Sequence, residues 1–391
     1  MLKSCGVIVE YNPFHNGHQY HLEMAHEASQ ADVVVAVMSG NFLQRGEPAI
    51  LDKWTRAKEA IENGADLVIE LPVASAVQSA DYFAKGAVRV LHELGVSSLC
   101  FGTDSEEELD YDQFARFNEE NQNEINETFQ SLNHLGLSYP QQMNEVYRLL
   151  LPDWPVSNQS PNHILGMSYA KENQKYAKPM SLFPIKRQVS NYHDKELNGT
   201  KFASATAIRE AVLADKFEDL ADVIPVETLN DLKGNDPIDW EKAWPFLKYQ
   251  LMVNSEEELR SIYQMVEGIE YRLKEMVLKA NSFEEFVTLV KTKRFTWTRI
   301  QRLCVYVLLQ LTEAEVTQSW EQPYLRILGF NKVGQVFMKQ QRKMVSSPVI
   351  SNLKKEHQKI AELDIRAGLV YELITGKNNK QDFYRIPHIK K

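Results

Sequence analysis

The sequence predicts an α/β fold: a Rossmann-like parallel sheet in the N-terminal part, followed by a mostly α-helical C-terminal domain. Three observations predict it. Short, continuous, β-branched runs recur through the first 110 residues, as expected of strands covered on both faces. Helix-patterned segments separate them, and strand–helix–strand at this rhythm means a parallel sheet with helices on both faces. From Asp239 onward the pattern is mainly helical.

Each element has a local cause. Cys5-Gly6-Val7-Ile8-Val9 reads as the first buried strand, and His18 to Ser29 as the first helix. Asp32 to Met38 is a second strand, stopped by Ser39-Gly40-Asn41. Lys53 to Asn63 places Trp54, Ala57, Ala60 and Ile61 at helical spacing, with Gly64 as its stop. Asp66 to Leu71 is a third strand, ended by Pro72. A helix from Ala80 to Leu94, stopped by Gly95, leads to a fourth strand, Ser98 to Gly102. Pro179 to Ile185 reads as a fifth strand, with helical signals from Ser204 onward. The turn formers of Asp231-Leu232-Lys233-Gly234-Asn235-Asp236-Pro237 mark a linker, giving domains at 1–230 and 239–391.

Composition narrows the function classes. The 391 residues are 43% hydrophobic, without a run of the roughly 20 apolar residues that span a bilayer. The N-terminal run is too short for a signal-peptide core, so a cytoplasmic location is expected. Cys5, Cys100 and Cys304 are widely spaced, forming neither a zinc motif nor a disulfide framework. Residues 104–127 are heavily acidic, from Asp104 through Asp112 above all; a metal site is one reading, a solvated loop and helix the favoured one, and no metal ligands are assigned. The net charge of −9 conceals an asymmetry: residues 291–391 hold 19 Lys and Arg against 8 Asp and Glu, so this segment is basic and the rest strongly acidic. A basic C-terminal end can meet phosphates.

The sharpest motif is Asn12-Pro13-Phe14-His15-Asn16-Gly17-His18, between the first strand and the first helix. Parallel sheets bind ligands at the carboxyl ends of their strands, beside helix starts. Gly17 lets backbone approach a phosphate, and the free N–H groups of the helix start favour anions. His15 and His18 can donate to phosphate oxygens as charge develops. Each histidine alone reads by default as a structural one, and a metal pair at i, i+3 is the other alternative, with no third ligand evident; together, in this context, they point to nucleotide binding.

The N-terminal half resembles the HIGH-superfamily nucleotidyltransferases, which bind ATP and release pyrophosphate. Longer runs are more particular: Gly6 to His18, Met38 to Ala49, Gly64 to Pro72, and Ser160-Pro161-Asn162-His163-Ile164-Leu165-Gly166. These resemble the bacterial tRNA(Met) cytidine acetate ligases over nearly the whole chain. The resemblance implies ATP as co-substrate, with Mg²⁺ on its phosphates, acetate as small substrate and elongator tRNA(Met) as partner. Acetyl-adenylate forms first; the acetyl group then passes to N4 of the wobble cytidine, giving N4-acetylcytidine. The ATP contacts it implies are the stretch Val7, Ile8, Val9, Glu10, Tyr11, Asn12, Pro13, Phe14, His15, Asn16, Gly17, His18, Gln19 and Tyr20, then Gly102, Asn162 and Arg187. His15 and His18 are its catalytic pair. Ser204, Thr206 and Arg209 resemble the late superfamily signature that holds the β- and γ-phosphates, although the same residues also read as a helix N-cap.

Toward the C-terminus, Lys291, Lys293, Arg294, Arg299 and Arg302 surround Phe295 and Trp297. Cations interleaved with aromatics suit a splayed RNA loop, by phosphate pairing and base stacking. A second basic run holds Lys339, Arg342, Lys343, Lys354 and Lys355. The alternative function is a cofactor-type nucleotidyltransferase acting on a small phosphorylated metabolite, which shares the N-terminal site but needs no basic C-terminal domain.

Overall fold

The computed structural model describes residues 1–104, 109–152, 161–186 and 202–391. Arg187 and residues 105–108 of the acidic run therefore lie outside the described residues. The anticipated strands form as β1 (Ser4–Val9), β2 (Val33–Ser39), β3 (Leu67–Leu71), β4 (Ser98–Thr103) and β5 (Ser181–Lys186). They run parallel in the order β5-β4-β1-β2-β3. Between them lie α1 (Asn16–Ser29), α2 (Lys53–Glu62), α3 (Val73–Ala76), α4 (Ala80–Glu93), α5 (Tyr111–Glu120), α6 (Gln122–Ser131), α7 (Tyr139–Leu150) and α8 (Pro161–Gln174).

Strand alternation divides the β2 side chains between two cores. Val33, Val35 and Val37 pack with Phe83, Ala87 and Leu91 of α4, whereas Val34, Ala36 and Met38 face Leu22 of α1 and Ala57 of α2. Both faces are dry, which is why the strand has no polar alternation. Cys5, Cys100 and Cys304 are all buried free thiols.

After β5, α9 (Ala205–Leu213) and α10 (Val226–Gly234) lead into a helical portion. It comprises α11 (Trp240–Val253), α12 (Glu256–Arg260), α13 (Ile269–Val277), α14 (Phe283–Val290), α15 (Trp297–Leu309) and α16 (Glu313–Glu321). The expected linker is only half right, because residues 231–234 complete α10. Leu232 anchors that helix in a core with Ile208 and Val212, and Lys58 of α2 pairs with Asp231 at 3.0 Å.

The C-terminal region does not stay helical and apart. The chain returns to the sheet as β6 (Leu325–Phe330), antiparallel to β3, and continues through α17 (Lys332–Gln341), β7 (Val349–Ile350), α18 (Glu362–Ile374), α19 (Gln381–Tyr384) and β8 (His388–Ile389). A buried ionic knot fixes this return: Lys53 of α2 reaches both Glu70 of β3 and Asp382 of α19 at 2.7 Å. Burial alone would lower the Lys53 ammonium, but Asp382 and Glu70 hold it above its usual range.

Buried aromatic donors fasten the helical portion and α18 to loops of the sheet. Tyr306 donates to the Val77 carbonyl at 2.6 Å, Tyr371 to Ala49 at 2.7 Å, and Trp240 Nε1 to Gly46 at 2.8 Å. Each satisfies a buried loop carbonyl while its ring fills the core.

Candidate active site

The loop after β1 is held from several sides. Asn12 Oδ1 accepts the Ile50 amide at 2.7 Å, and the Asn12 carbonyl accepts Arg209 at 3.0 Å. The fully buried Arg56 guanidinium donates to the carbonyls of Glu10, Ser39, Gly40 and Leu51, tying the ends of β1 and β2 together. Tyr11 sits at a left-handed φ of 52° and is buried against Phe14, with ring centroids 4.8 Å apart.

His15 is the N-cap of α1: its Nδ1 accepts the Gly17 amide at 3.0 Å. An accepting Nδ1 places the proton of a neutral ring on Nε2. The His18 ring stacks on His15 at 3.6 Å between centroids and meets the edge of Tyr11 at 4.9 Å. Two imidazoles are thus presented by one helix turn and backed by aromatic walls.

The expectation that free amides of α1 bind the anion is corrected here. The Asn16 amide donates to the Val223 carbonyl at 3.0 Å, Gly17 to His15 Nδ1, and His18 to the His15 carbonyl at 2.8 Å. The helix dipole still favours negative charge at this end.

A cleft of about 1840 Å³ opens at the carboxyl ends of the parallel strands. Typical small-ligand pockets hold about 300–1,000 Å³, so there is room beyond one nucleotide. It is lined by Ile8, Val9, Glu10, Asn12, His15, Gly17, His18, Tyr20, Gly102 and Asn162 of the expected set. Ser204, Thr206 and Arg209 line it too, which brings the start of α9 opposite that of α1. Ser204 does cap α9, accepting the Ala207 amide at 3.1 Å, and Arg209 lies 3.7 Å from Glu47. Asn162 stands within the first turn of α8 and donates to Asp104 at 2.8 Å. Burial pushes the Glu10 carboxyl above its ordinary range, opposed by the Gln44 amide at 2.7 Å.

Other expected contacts are not on this surface. Val7, Tyr11 and Phe14 are core residues, and Pro13, Asn16 and Gln19 do not line the cleft. Asn16 instead reaches the Asp222 carbonyl at 2.8 Å.

The basic cluster is split in the same way. Arg294, Arg299 and Arg302 line the cleft, facing the same space as the two histidines. Lys291 and Lys293 are exposed outside it. Phe295 is corrected as a stacking surface: it is buried, with the Arg299 guanidinium 4.1 Å over its ring. Trp297 is partly buried against the helical core. Lys339 and Arg342 sit on or just after α17, where Gln340 accepts the Leu2 amide at 3.0 Å. That is the amino end of the parallel strands, opposite the cleft.

Sequence reasoning did not single out Arg45 or the half-buried pair Lys171–Asp81, joined at 2.8 Å, although all three line the cleft. Arg45 lay in a quoted motif; Lys171 and Asp81 carried no signal that local pattern can read.

The model of the HIGH Nucleotidyl Transferase family matches residues 2–385. The chain is 41% identical over 388 residues to the tRNA(Met) cytidine acetate ligase of Lactiplantibacillus plantarum, covering 99% of this chain and 98% of that protein. It is 40% identical over 391 residues to the protein of the same name from Listeria monocytogenes, covering 99% of each. It is similar to the crystal structure of Thermotoga maritima TmcAL in its apo form, with a TM-score of 0.91, 32% identity and 99% of each chain covered. The same protein bound with alpha-thio ATP superimposes with a TM-score of 0.89, at 32% identity and 99% coverage of each chain.

Proposed function

The chain belongs to the tRNA(Met) cytidine acetate ligase family of HIGH nucleotidyl transferases, and on that premise we propose that it activates acetate with ATP and acetylates a cytidine of elongator tRNA(Met). The observation that carries the reading is the stacked His15–His18 pair at the start of α1, open to a cleft that also receives Ser204, Thr206 and Arg209.

In the first step an acetate oxygen attacks the α-phosphorus of ATP. A P–O bond forms to acetate, the bond to the β-phosphate bridge breaks, and pyrophosphate leaves with its electron pair. His15 Nε2 and His18 stabilise the charge that develops, while Ser204, Thr206 and Arg209 hold the departing phosphates. Among the described residues no group of three His, Cys, Asp or Glu side chains could hold a metal ion; Mg²⁺ would come with the triphosphate, screening its charge.

In the second step the N4 amine of the wobble cytidine attacks the acetyl carbon. The N–C bond forms, the C–O bond to AMP breaks, and one amine proton is lost. An exocyclic amine conjugated with its ring is a weak nucleophile, which is the chemical reason to spend ATP on the acyl group. The base must leave its stack to reach the cleft, and the volume of the cleft beyond one nucleotide supports that. No helix among the described residues is long and apolar enough to cross a membrane.

The test is to incubate the protein with ATP, isotope-labelled acetate and total tRNA, then to identify the labelled nucleoside by mass spectrometry. N4-acetylcytidine in tRNA(Met) is expected, with acetate-dependent pyrophosphate exchange. Exchange that needs a phosphate ester in place of acetate would instead support the cofactor-type nucleotidyltransferase, which the named relatives do not favour.

A further inference from the structure

We propose that Arg45, Arg299 and Arg302 form a composite phosphate subsite that grips the RNA backbone beside the nucleotide being modified. This rests on the RNA reading above and goes beyond it by joining a sheet-domain residue to two from the helical portion.

Arg302 carries the argument. It lines the cleft from α15, yet its Nε is buried and hydrogen-bonds to no protein atom among the described residues. Burial lowers its guanidinium below the usual range, and Arg299 and Arg45 push it the same way. Among the described residues, the phenols of Tyr306 and Tyr263 act against this. A half-buried cation with two like neighbours costs free energy until an anion completes it.

The position of Arg45 is fixed by backbone contact. Gly46 adopts a φ of 79° and presses on the backbone of Gln301 and Arg302, with no space for a Cβ. Trp240 secures the Gly46 carbonyl, and Glu10 secures the Gln44 amide. The turn therefore delivers Arg45 to Arg302 across the junction of sheet and helices. Arg299 lies over the Phe295 ring, 4.1 Å from its centroid, and donates to the Arg294 carbonyl at 3.2 Å. The carboxylate acting on it is Glu267, which also lies 3.8 Å from Arg294.

Phosphate is the ligand chemistry, and two sources exist in this reaction. The ATP tail has its own donors at the starts of α1 and α9. The three arginines stand where the helical portion meets the sheet, on the wall that carries Gln264, Thr296 and Thr298. A splayed nucleotide is positioned through its phosphates, whatever its base contacts.

The experiment uses the full-length protein with Arg45→Gln, Arg302→Gln and the charge-preserving Arg302→Lys. Affinity for a tRNA(Met) transcript is measured across salt concentrations, and KM for ATP by acetate-dependent pyrophosphate exchange. Each Gln variant is expected to raise the tRNA dissociation constant by about tenfold and flatten the log–log salt slope by about one, with Arg302→Lys regaining the slope. An unchanged salt slope overturns the proposal. So does a raised KM for ATP with tRNA affinity kept, because the phosphate would then belong to ATP. If Arg302→Gln fails to fold by circular dichroism, Arg299→Gln carries the same slope test. A wild-type protein lacking acetate-dependent exchange would defeat the ligase reading, while the tRNA salt slope would still decide the subsite.

Discussion

The imidazoles of His15 and His18 stack at 3.6 Å, only 23° from parallel. One ring caps the helix through Nδ1 and the other rides one turn further along it, so their roles separate by substitution. His15→Asn keeps a side-chain acceptor for the Gly17 amide but loses the Nε2 donor. Stability close to wild type is expected, with pyrophosphate exchange reduced about 10²-fold or more. His15→Ala should lose the same activity and also about 1 kcal/mol of stability, read by urea denaturation. His18→Ala should lower exchange about 10²–10³-fold with far less effect on tRNA affinity. Full exchange activity in His18→Ala would remove this pair from the mechanism.

Arg209 links α9 to the first loop through the Asn12 carbonyl. Arg209→Ala should raise KM for ATP by about tenfold, the scale of one charge-assisted hydrogen bond. Steady-state exchange at varied ATP measures it; an unaltered KM would leave Arg209 as a structural clamp.

Gly46→Ala places a methyl group where the backbone of Arg302 already lies, at a φ of 79°. The left-handed conformation alone costs about 1–2 kcal/mol, and the collision adds to it. Chemical denaturation should show a loss above that range. A neutral effect would mean that the 43–46 turn is not seated on α15.

Lys53→Met leaves Glu70 and Asp382 facing each other without their shared cation. Loss of about 3–5 kcal/mol is expected. Proteolysis should detach the C-terminal segment earlier than in wild type, because Asp382 is one of its anchors to the sheet.

His26 is held above its ordinary range chiefly by its hydrogen bond to Asp66, 3.3 Å away. The protonated ring is therefore favoured in the folded state. Its contribution is complete below the unfolded value near 6.5 and fades as pH rises through the higher folded value. The melting temperature of the wild type should fall across that window relative to His26→Gln; parallel curves would deny the linkage.

Much of this was legible because it is local. A continuous valine run is a doubly covered strand wherever it stands, and His-x-Gly-His between strand and helix can only face the carboxyl end of the sheet. Ser204 two residues before Thr206 signalled both a cap and a phosphate site, and the structure gives it the cap within a cleft-lining position. The errors came from longer range. Asp231 to Gly234 has the composition of a linker, but Leu232 finds a core and the segment stays helical. Phe295 looked like a base platform until tertiary packing buried it beneath Arg299.

What the sequence determined by itself is the parallel sheet and the place of the histidine loop between strand and helix, because periodicity and short-range hydrogen bonding act within a few residues. What only the tertiary structure decided is the junction. Strand β6 closes on β3 from the far end of the chain, Lys53 finds Asp382, and Gly46 sets Arg45 beside Arg302. Such contacts depend on how two surfaces pack and which buried charges must be neutralised, and no local pattern encodes either.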